Sequence, residues 1–473
     1  MSEAKAEQKP AEKARHILLL LGRLTVLRCF CCRQPVKYLG ELCDALAEGD
    51  AQEATYAYHA MTAALLETPA RRVTGNIWQD FIFAELLETP NRFSELAASG
   101  KNDAPVTTAM EHDLELMQEL FALNSGDWIV QIEALAQQKE ASEEDAAERR
   151  QAAMQARQRE ERIAKLSATA WGANGISIQE AGGREKSTHL HTKADLPGDI
   201  ETGKWIGWDY DEPGETVEYV ADDALALVYR RFLGEGSWNT LTDALQEFHA
   251  HFGHGDFLRY RVFAALDEGT FGLDGASSLE WDEVVGIERQ KEAFYANALR
   301  FVHTGKAQNV LLYGHEGMGK TSMVLAMANE LPDLRLVFLT QHSDEAIRAS
   351  FMAMAQQPFP FLALIDDLES ERGTYARFKR IAVMMRGIRN ILLVATSSVR
   401  VADSSLFGMQ IEFPAPELTE FCQMVAEFVR NLRGKIDFEG IKAFCEEWQA
   451  GGGDLNSRSA LAVAEQLLRA EKR

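Results

Sequence analysis

The sequence predicts an α/β fold: a five-stranded parallel sheet with helices on both faces, preceded by a mostly α-helical region and followed by a small helical C-terminal lid. Three observations predict it. From Trp281 onward, short apolar runs alternate with helix-like segments, the texture of strands buried on both faces. A Gly-rich loop joins the first of these runs to a helix-forming segment. Past Pro414 and Pro416 no strand pattern survives, and Phe421, Val425 and Phe428, then Leu461, Ala464 and Leu467, repeat at helical spacing.

The strand candidates are Asn309 to Tyr313, Arg335 to Leu339, Phe361 to Ile365, Asn390 to Ala395 and Met409 to Phe413. Each is too short for an ordinary helix and too apolar for a loop. They define an α/β domain over residues 281 to 413, with the lid over 414 to 473.

A chain of 473 residues is too long for one ordinary core, so several folded units precede the sheet. Residues 1 to 15, rich in Glu, Lys and Ala, read as a disordered start. Residues 16 to 138 form a helical domain, with Trp78, Phe81, Ile82 and Leu86 on one apolar face and Pro69, Pro90 and Pro105 as punctuation. Residues 139 to 219 read as a solvated, mixed-charge helix followed by a Gly-rich polar linker or insertion, in which Trp171, Trp205 and Trp208 show no period. Residues 220 to 280 return to helical spacing and lead into the α/β domain.

Hydrophobic residues at 46% and charged residues at 26% give the balance of a globular protein. The net charge of -23 argues against wrapping nucleic acid with the whole surface. The apolar run from Ile17 to Leu27 is broken by Gly22 and Arg23 and falls short of the roughly 20 residues a membrane span needs, so it reads as a core helix. The six cysteines form no secreted-type framework, which fits a reducing cytoplasm. Cys29, Cys31 and Cys32 lack a second pair at zinc-site spacing and read as small apolar residues on a buried helix. His189 and His191 read as surface histidines of a polar loop.

The chemistry concentrates in the α/β domain. Gly314-His315-Glu316-Gly317-Met318-Gly319-Lys320-Thr321 fits G-x-x-x-x-G-K-[ST] in full, between the strand-like N-V-L-L-Y and a helix that opens with Ser322. In that setting backbone N–H groups and a helix N-terminus converge on a polyphosphate. Lys320 meets the β and γ phosphates, and the Thr321 hydroxyl is a ligand for Mg²⁺. Further on, Phe361-Leu-Ala-Leu-Ile-Asp-Asp367 is a strand ending in two carboxylates. Asp366 would hold Mg²⁺ and Asp367 would orient and deprotonate the attacking water. A third strand ends in Thr396, Ser397 and Ser398, all candidates to sense the γ phosphate.

With these elements in order, the chain resembles the AAA+ P-loop ATPases, and more closely the bacterial DUF815 family of predicted ATPases. The closer resemblance rests on W-D-E-V-V-G-I-E-R-Q-K-E-A before the P-loop, the Asp-Asp strand, A-T-S-S, P-A-P at the lid junction and S-R-S-A in the lid. It implies ATP as ligand with Mg²⁺. It also implies that Val285 and Gly286 line the adenine pocket, that Ser398 stands at the sensor 1 position and that Arg458 stands at sensor 2. Ser398 replaces the usual Asn, and Ser405-Leu406-Phe407-Gly408 replaces Asp-Arg-Phe-Gly, so an arginine able to act across a subunit boundary is missing there. Arg386, Arg389 and Arg400 remain open as substitutes.

Three functions stay in competition. The first is an ATPase that turns hydrolysis into movement of a macromolecular partner, a protein by preference, with a homo-oligomer left open. The second is an ATP-gated switch or scaffold with little or no turnover. The third, a DNA-associated loader, is disfavoured by the acidic composition, although Arg377, Lys379, Arg380, Arg386 and Arg389 lie close together.

Overall fold

A computed structural model describes residues 10–139, 150–151, 154–155, 205–212, 222–234, 236–273, 279–340, 343–368, 374–385, 387–400 and 407–471. The chain divides into two compact units, each made of segments distant in sequence.

The first unit comprises Met1–Leu24, Arg28–Phe81 and Glu119–Glu215. Its helices include α1 (Pro10–Arg23), α2 (Gln34–Glu48) and α3 (Ala51–Glu67). Asp50 starts α3 by accepting from the amides of Gln52 and Glu53, and Gly49, at φ +76°, ends α2 in the left-handed conformation. The core gathers Phe30, Tyr58, Met61, Trp78 and Trp208. Trp208 belongs to the polar passage in which no period is visible, yet it is fully buried, stacks on Tyr58 and donates to Thr62 Oγ1 at 3.1 Å. Cys29, Cys31 and Cys32 lie in a short 3₁₀ turn, Arg28–Cys32, in which Phe30 is the buried residue and Cys32 is exposed. His189, His191, Trp171 and most of the mixed-charge stretch lie outside the described residues.

The second unit comprises Thr25–Leu27, Ile82–Gln118 and Thr216–Arg473. Among the described residues its sheet has seven strands, numbered β1 to β7 in chain order and arranged β2-β1-β4-β5-β6-β3-β7. Five match the expected runs: β3 (Val310–Gly314), β4 (Arg335–Leu339), β5 (Phe361–Ile365), β6 (Ile391–Ser397) and β7 (Met409–Phe413). All five run parallel.

The expected count of five is corrected to seven. β1 (Val262–Leu266) joins β4 in parallel, and β2 (Gly269–Gly272) returns antiparallel on its outer side. Val262-Phe-Ala-Ala-Leu266 is a five-residue apolar run at the end of a helical stretch, where periodicity cannot separate strand from helix. In Gly269-Thr-Phe-Gly272 two glycines remove the strand composition altogether.

Alternation places the core on both faces. Val310, Leu312, Leu362 and Leu364 face one cluster, packed by Phe294 and Phe301 of a helix over Glu288–Thr304 and by Met323 and Met327 of a helix over Lys320–Glu330. Leu311, Phe361, Ala363 and Leu393 face the other, packed by Ile347, Phe351 and Met354 of a helix over Asp344–Ala355. After β7 three helices follow, Leu418–Asn431, Phe438–Ala450 and Ser457–Glu471, whose Phe421, Val425, Ile441 and Val463 join the first cluster. No described helix is long and apolar enough to cross a membrane.

Candidate functional site

Because the strands are parallel, the loops that follow β3, β5 and β6 leave one edge of the sheet together, and β6 stands between the other two. There they border a cleft of about 530 Å³. Its lining includes Glu316 to Ser322, Asp366, Asp367, Thr396, Ser397, Ser398, Ser457 and Arg458.

The loop after β3 is shaped by close approach. Gly314 stands at φ +130°, and a Cβ there would lie 2.1 Å from the carbonyl oxygen of Phe413 on β7. That carbonyl accepts from His315 N at 2.8 Å, so the loop is tied to β7 at its first turn. Gly317, at φ +74°, leaves room for the Asn456 side chain, which a Cβ would meet at 2.9 Å. The helix that begins at Lys320 has Gly319 at its N-cap and no side-chain cap. Its first amides are therefore oriented to receive an anion. Lys320 Nζ folds back on the loop, donating to the carbonyls of Gly314 and His315 at 2.8 Å each.

Register brings the remaining polar groups together. Ile365 pairs with Ala395, so the next residues, Asp366 and Thr396, sit side by side where β5 and β6 end. Thr396 Oγ1 donates to Asp366 Oδ1 at 2.5 Å and accepts from Asp367 N at 2.8 Å. Thr321 Oγ1 donates to the same Asp366 Oδ1 at 2.8 Å. Asp367 stands at φ +50°, a left-handed conformation that Asp and Asn tolerate better than most residues. Both carboxylates are exposed to the cleft, while Thr396 is 3% exposed beneath them. A hydroxyl and a carboxylate oxygen in contact are hard donors, the set that Mg²⁺ takes while keeping several waters.

The other expected residues distribute unevenly. Ser398 lines the cleft, whereas the buried Ser397 hydroxyl turns to its own loop, donating to Val399 O at 2.5 Å. Val285 is buried in the core, and Gly286, at φ +82°, packs against Met424. Neither lines the cleft, while the preceding Val284 does, together with Leu279, Phe428 and Leu461. Arg458 is exposed at the cleft and its backbone amide donates to Gly317 O at 3.1 Å. Leu406 and Arg386 lie outside the described residues, Arg389 and Arg400 are exposed, and Arg380 pairs with Asp344 at 3.2 Å.

Thr396, Asn456 and Glu283 carry signals that sequence reading did not resolve. Thr396 was one of three hydroxyls, and only the strand register selects it. Asn456 caps the helix from Ser457 by accepting from Ser459 N at 2.8 Å, which N-x-x-S ahead of a helical run could have indicated. Glu283 reaches the cleft from a 3₁₀ turn, Trp281–Glu283, where it forms a capping box with Glu280, a local pattern that does not by itself point to a cleft.

Residues 259–401 match the family described as "Protein of unknown function (DUF815)". A relative from Methanothermobacter thermautotrophicus, named as a homolog of a 26S proteasome regulatory subunit, is 24% identical; the match covers 41% of this chain and 62% of the relative, under two thirds of its length. Among solved structures, the FIGL-1 AAA domain in complex with ADP is 20% identical over 36% of this chain and 67% of that one, with a TM-score of 0.29. The Thermotoga maritima RuvB Holliday junction branch migration motor is 16% identical over 41% of this chain and 73% of that one, also at 0.29. The residues that match the DUF815 family, 259–401, hold both the P-loop and the strand that ends in Asp366 and Asp367.

Proposed function

We propose that the cleft binds ATP with Mg²⁺ and hydrolyses it, and that the cycle drives a conformational change on a macromolecular partner, a protein rather than a nucleic acid. The observation that carries this reading is the meeting of Thr321 Oγ1 with Asp366 Oδ1 at 2.8 Å beside the P-loop, which gives a phosphate cradle and a Mg²⁺ donor pair in one cleft.

The loop amides and Lys320 would hold the β and γ phosphates, with Lys320 exchanging its two carbonyl partners for phosphate oxygens. Thr321 and Asp366 would hold Mg²⁺, which supplies charge neutralisation when bound. Asp367 would orient the attacking water and take its proton, and Ser398 would face the γ phosphate. Leu279, Val284, Phe428 and Leu461 offer an apolar wall for the base. Arg458 is suited to couple the C-terminal helices, acting as a lid, to the nucleotide. The 24% identical relative named after a proteasome regulatory subunit is in keeping with a protein partner.

A second reading is an ATP-gated switch that turns over slowly. It is favoured by Leu406 standing where the resembling family has arginine, since such a residue is worth about 10³-fold or more in phosphoryl transfer. Steady-state ATP hydrolysis and nucleotide affinity of the wild type, Lys320→Ala and Asp367→Asn separate the readings. Hydrolysis is expected in the wild type alone, with affinity lost in Lys320→Ala and kept in Asp367→Asn. A wild type that binds ATP yet turns over no faster than Asp367→Asn leaves the switch; one that binds no ATP sinks both. Size-exclusion chromatography with and without ATP tests for a homo-oligomer.

A further inference from the structure

At the opposite edge of the sheet, where β1 and β4 begin, two arginines stand side by side. Arg261 directly precedes β1, and its carbonyl accepts from Leu336 N at 2.9 Å; Arg335 is the first residue of β4. Both line a cavity of about 390 Å³ whose walls include Phe252, Pro332, Asp333 and Phe359.

Arg335 is 4% exposed, and no ion pair joins it or Arg261 to a carboxylate among the described residues. Its Nη1 donates to the Pro332 carbonyl at 2.9 Å, its guanidinium lies 4.4 Å from the Phe359 ring centroid, and its Nε has no partner. Burying a guanidinium without a counter-charge is costly, and proteins ordinarily pair such a group. Burial first, then the neighbouring Arg261, lower its pKa to about 10, with Asp333 opposing.

We infer that this cavity is an anion site, separate from the P-loop cleft, which takes a phosphate group through Arg335 and Arg261. Geometry selects phosphate over carboxylate. The two guanidiniums outweigh the single acid Asp333 and leave the cavity positive, and two planar forks can engage more oxygens than a carboxylate presents, which suits the tetrahedral phosphate group. The phosphate comes either as the free ion or on a small molecule whose apolar body rests on Phe252 and Phe359.

Isothermal titration of the full chain tests this, with Lys320→Ala as background so that the P-loop does not dominate the signal. Inorganic phosphate should bind, and adding Arg335→Met or Arg261→Gln should weaken it about tenfold or more, the usual worth of a charge-assisted contact. Arg335→Met replaces an unpaired buried charge with an apolar chain, a change folded proteins often accept. Arg261 is only partly buried, so Arg261→Gln keeps the test valid if the first variant misfolds. Phenyl phosphate binding more tightly than inorganic phosphate identifies a small phosphorylated molecule as the source, and equal binding identifies the free ion. The inference is overturned if Lys320→Ala binds no phosphate, if the arginine variants bind it unchanged, or if benzoate binds as well as phenyl phosphate.

Discussion

Thr396 holds Asp366 by a 2.5 Å hydrogen bond across 30 residues of sequence, and the same hydroxyl receives the amide of Asp367. One buried side chain thereby fixes the Asp366 carboxylate and the Asp367 backbone at the edge of the cleft. Thr396→Val keeps the shape and removes the hydroxyl. ATP turnover is expected to fall about 10- to 100-fold with nucleotide affinity little changed, as for loss of one or two hydrogen bonds to charged or buried groups. Thr396→Ser should recover most of the rate. Equal kcat in Thr396→Val and wild type would show that Asp366 needs no such support.

Gly314 supports a test of the loop itself. Its φ of +130° and the 2.1 Å approach of the Phe413 carbonyl leave no place for a Cβ. Gly314→Ala should lower stability by about 2–4 kcal/mol in urea unfolding, from strain at a glycine-only conformation together with a displaced β7 contact. An unchanged midpoint would mean that the loop relaxes freely.

Asn456 joins the last helix to the P-loop, capping the helix from Ser457 while its side chain sits over Gly317. Asn456→Ala should cost about 1 kcal/mol, the ordinary worth of an N-cap. Asn456→Ser should recover much of that stability but not the cover over Gly317, so any nucleotide-affinity loss common to both variants reports the loop contact.

Two buried histidines predict an acid-sensitive fold. Burial lowers His249 and His254 from 6.5 to about 4, so both are neutral in the folded chain and take up protons more readily when it unfolds. Their depressed folded values give stability that is fully present above about pH 6.5 and is lost as pH falls towards 4, up to about 3 kcal/mol for each. The urea midpoint should therefore drop across that window, and less steeply in His254→Gln. An identical pH slope in the variant would show that the histidine contributes nothing.

How much of this was legible depends on how local each signal is. The P-loop is contiguous, and its chemistry follows from eight residues and their flanks. The strands β3 to β7 are apolar runs bounded by polar turns, which pattern alone exposes. β1 and β2 were hidden because a short apolar run after helices is ambiguous and a strand with two glycines has no strand composition. Within the site, the resemblance points to Ser398, while the side chain that grips the Asp366 carboxylate is Thr396, a choice made by the pairing of Ile365 with Ala395. Val284 rather than Val285 reaches the cleft because the side chain that faces it depends on how the turn before the helix at Glu288 packs. Neither register nor packing is written in a single stretch of sequence.

The sheet-bearing unit is completed by residues that leave the ribosome long before the sheet does. Thr25 and Leu27 donate to Asp113 within it, and Glu88 is paired with Arg259 across 171 residues. At cellular synthesis rates the early segment waits on the order of ten seconds for its partner. Contacts so far apart in sequence make the folding of this unit non-local and slow. They also set where the gene can be cut: a fragment starting at residue 216 would leave Arg259 without its carboxylate and Gly255 N without the Glu88 carbonyl that accepts from it.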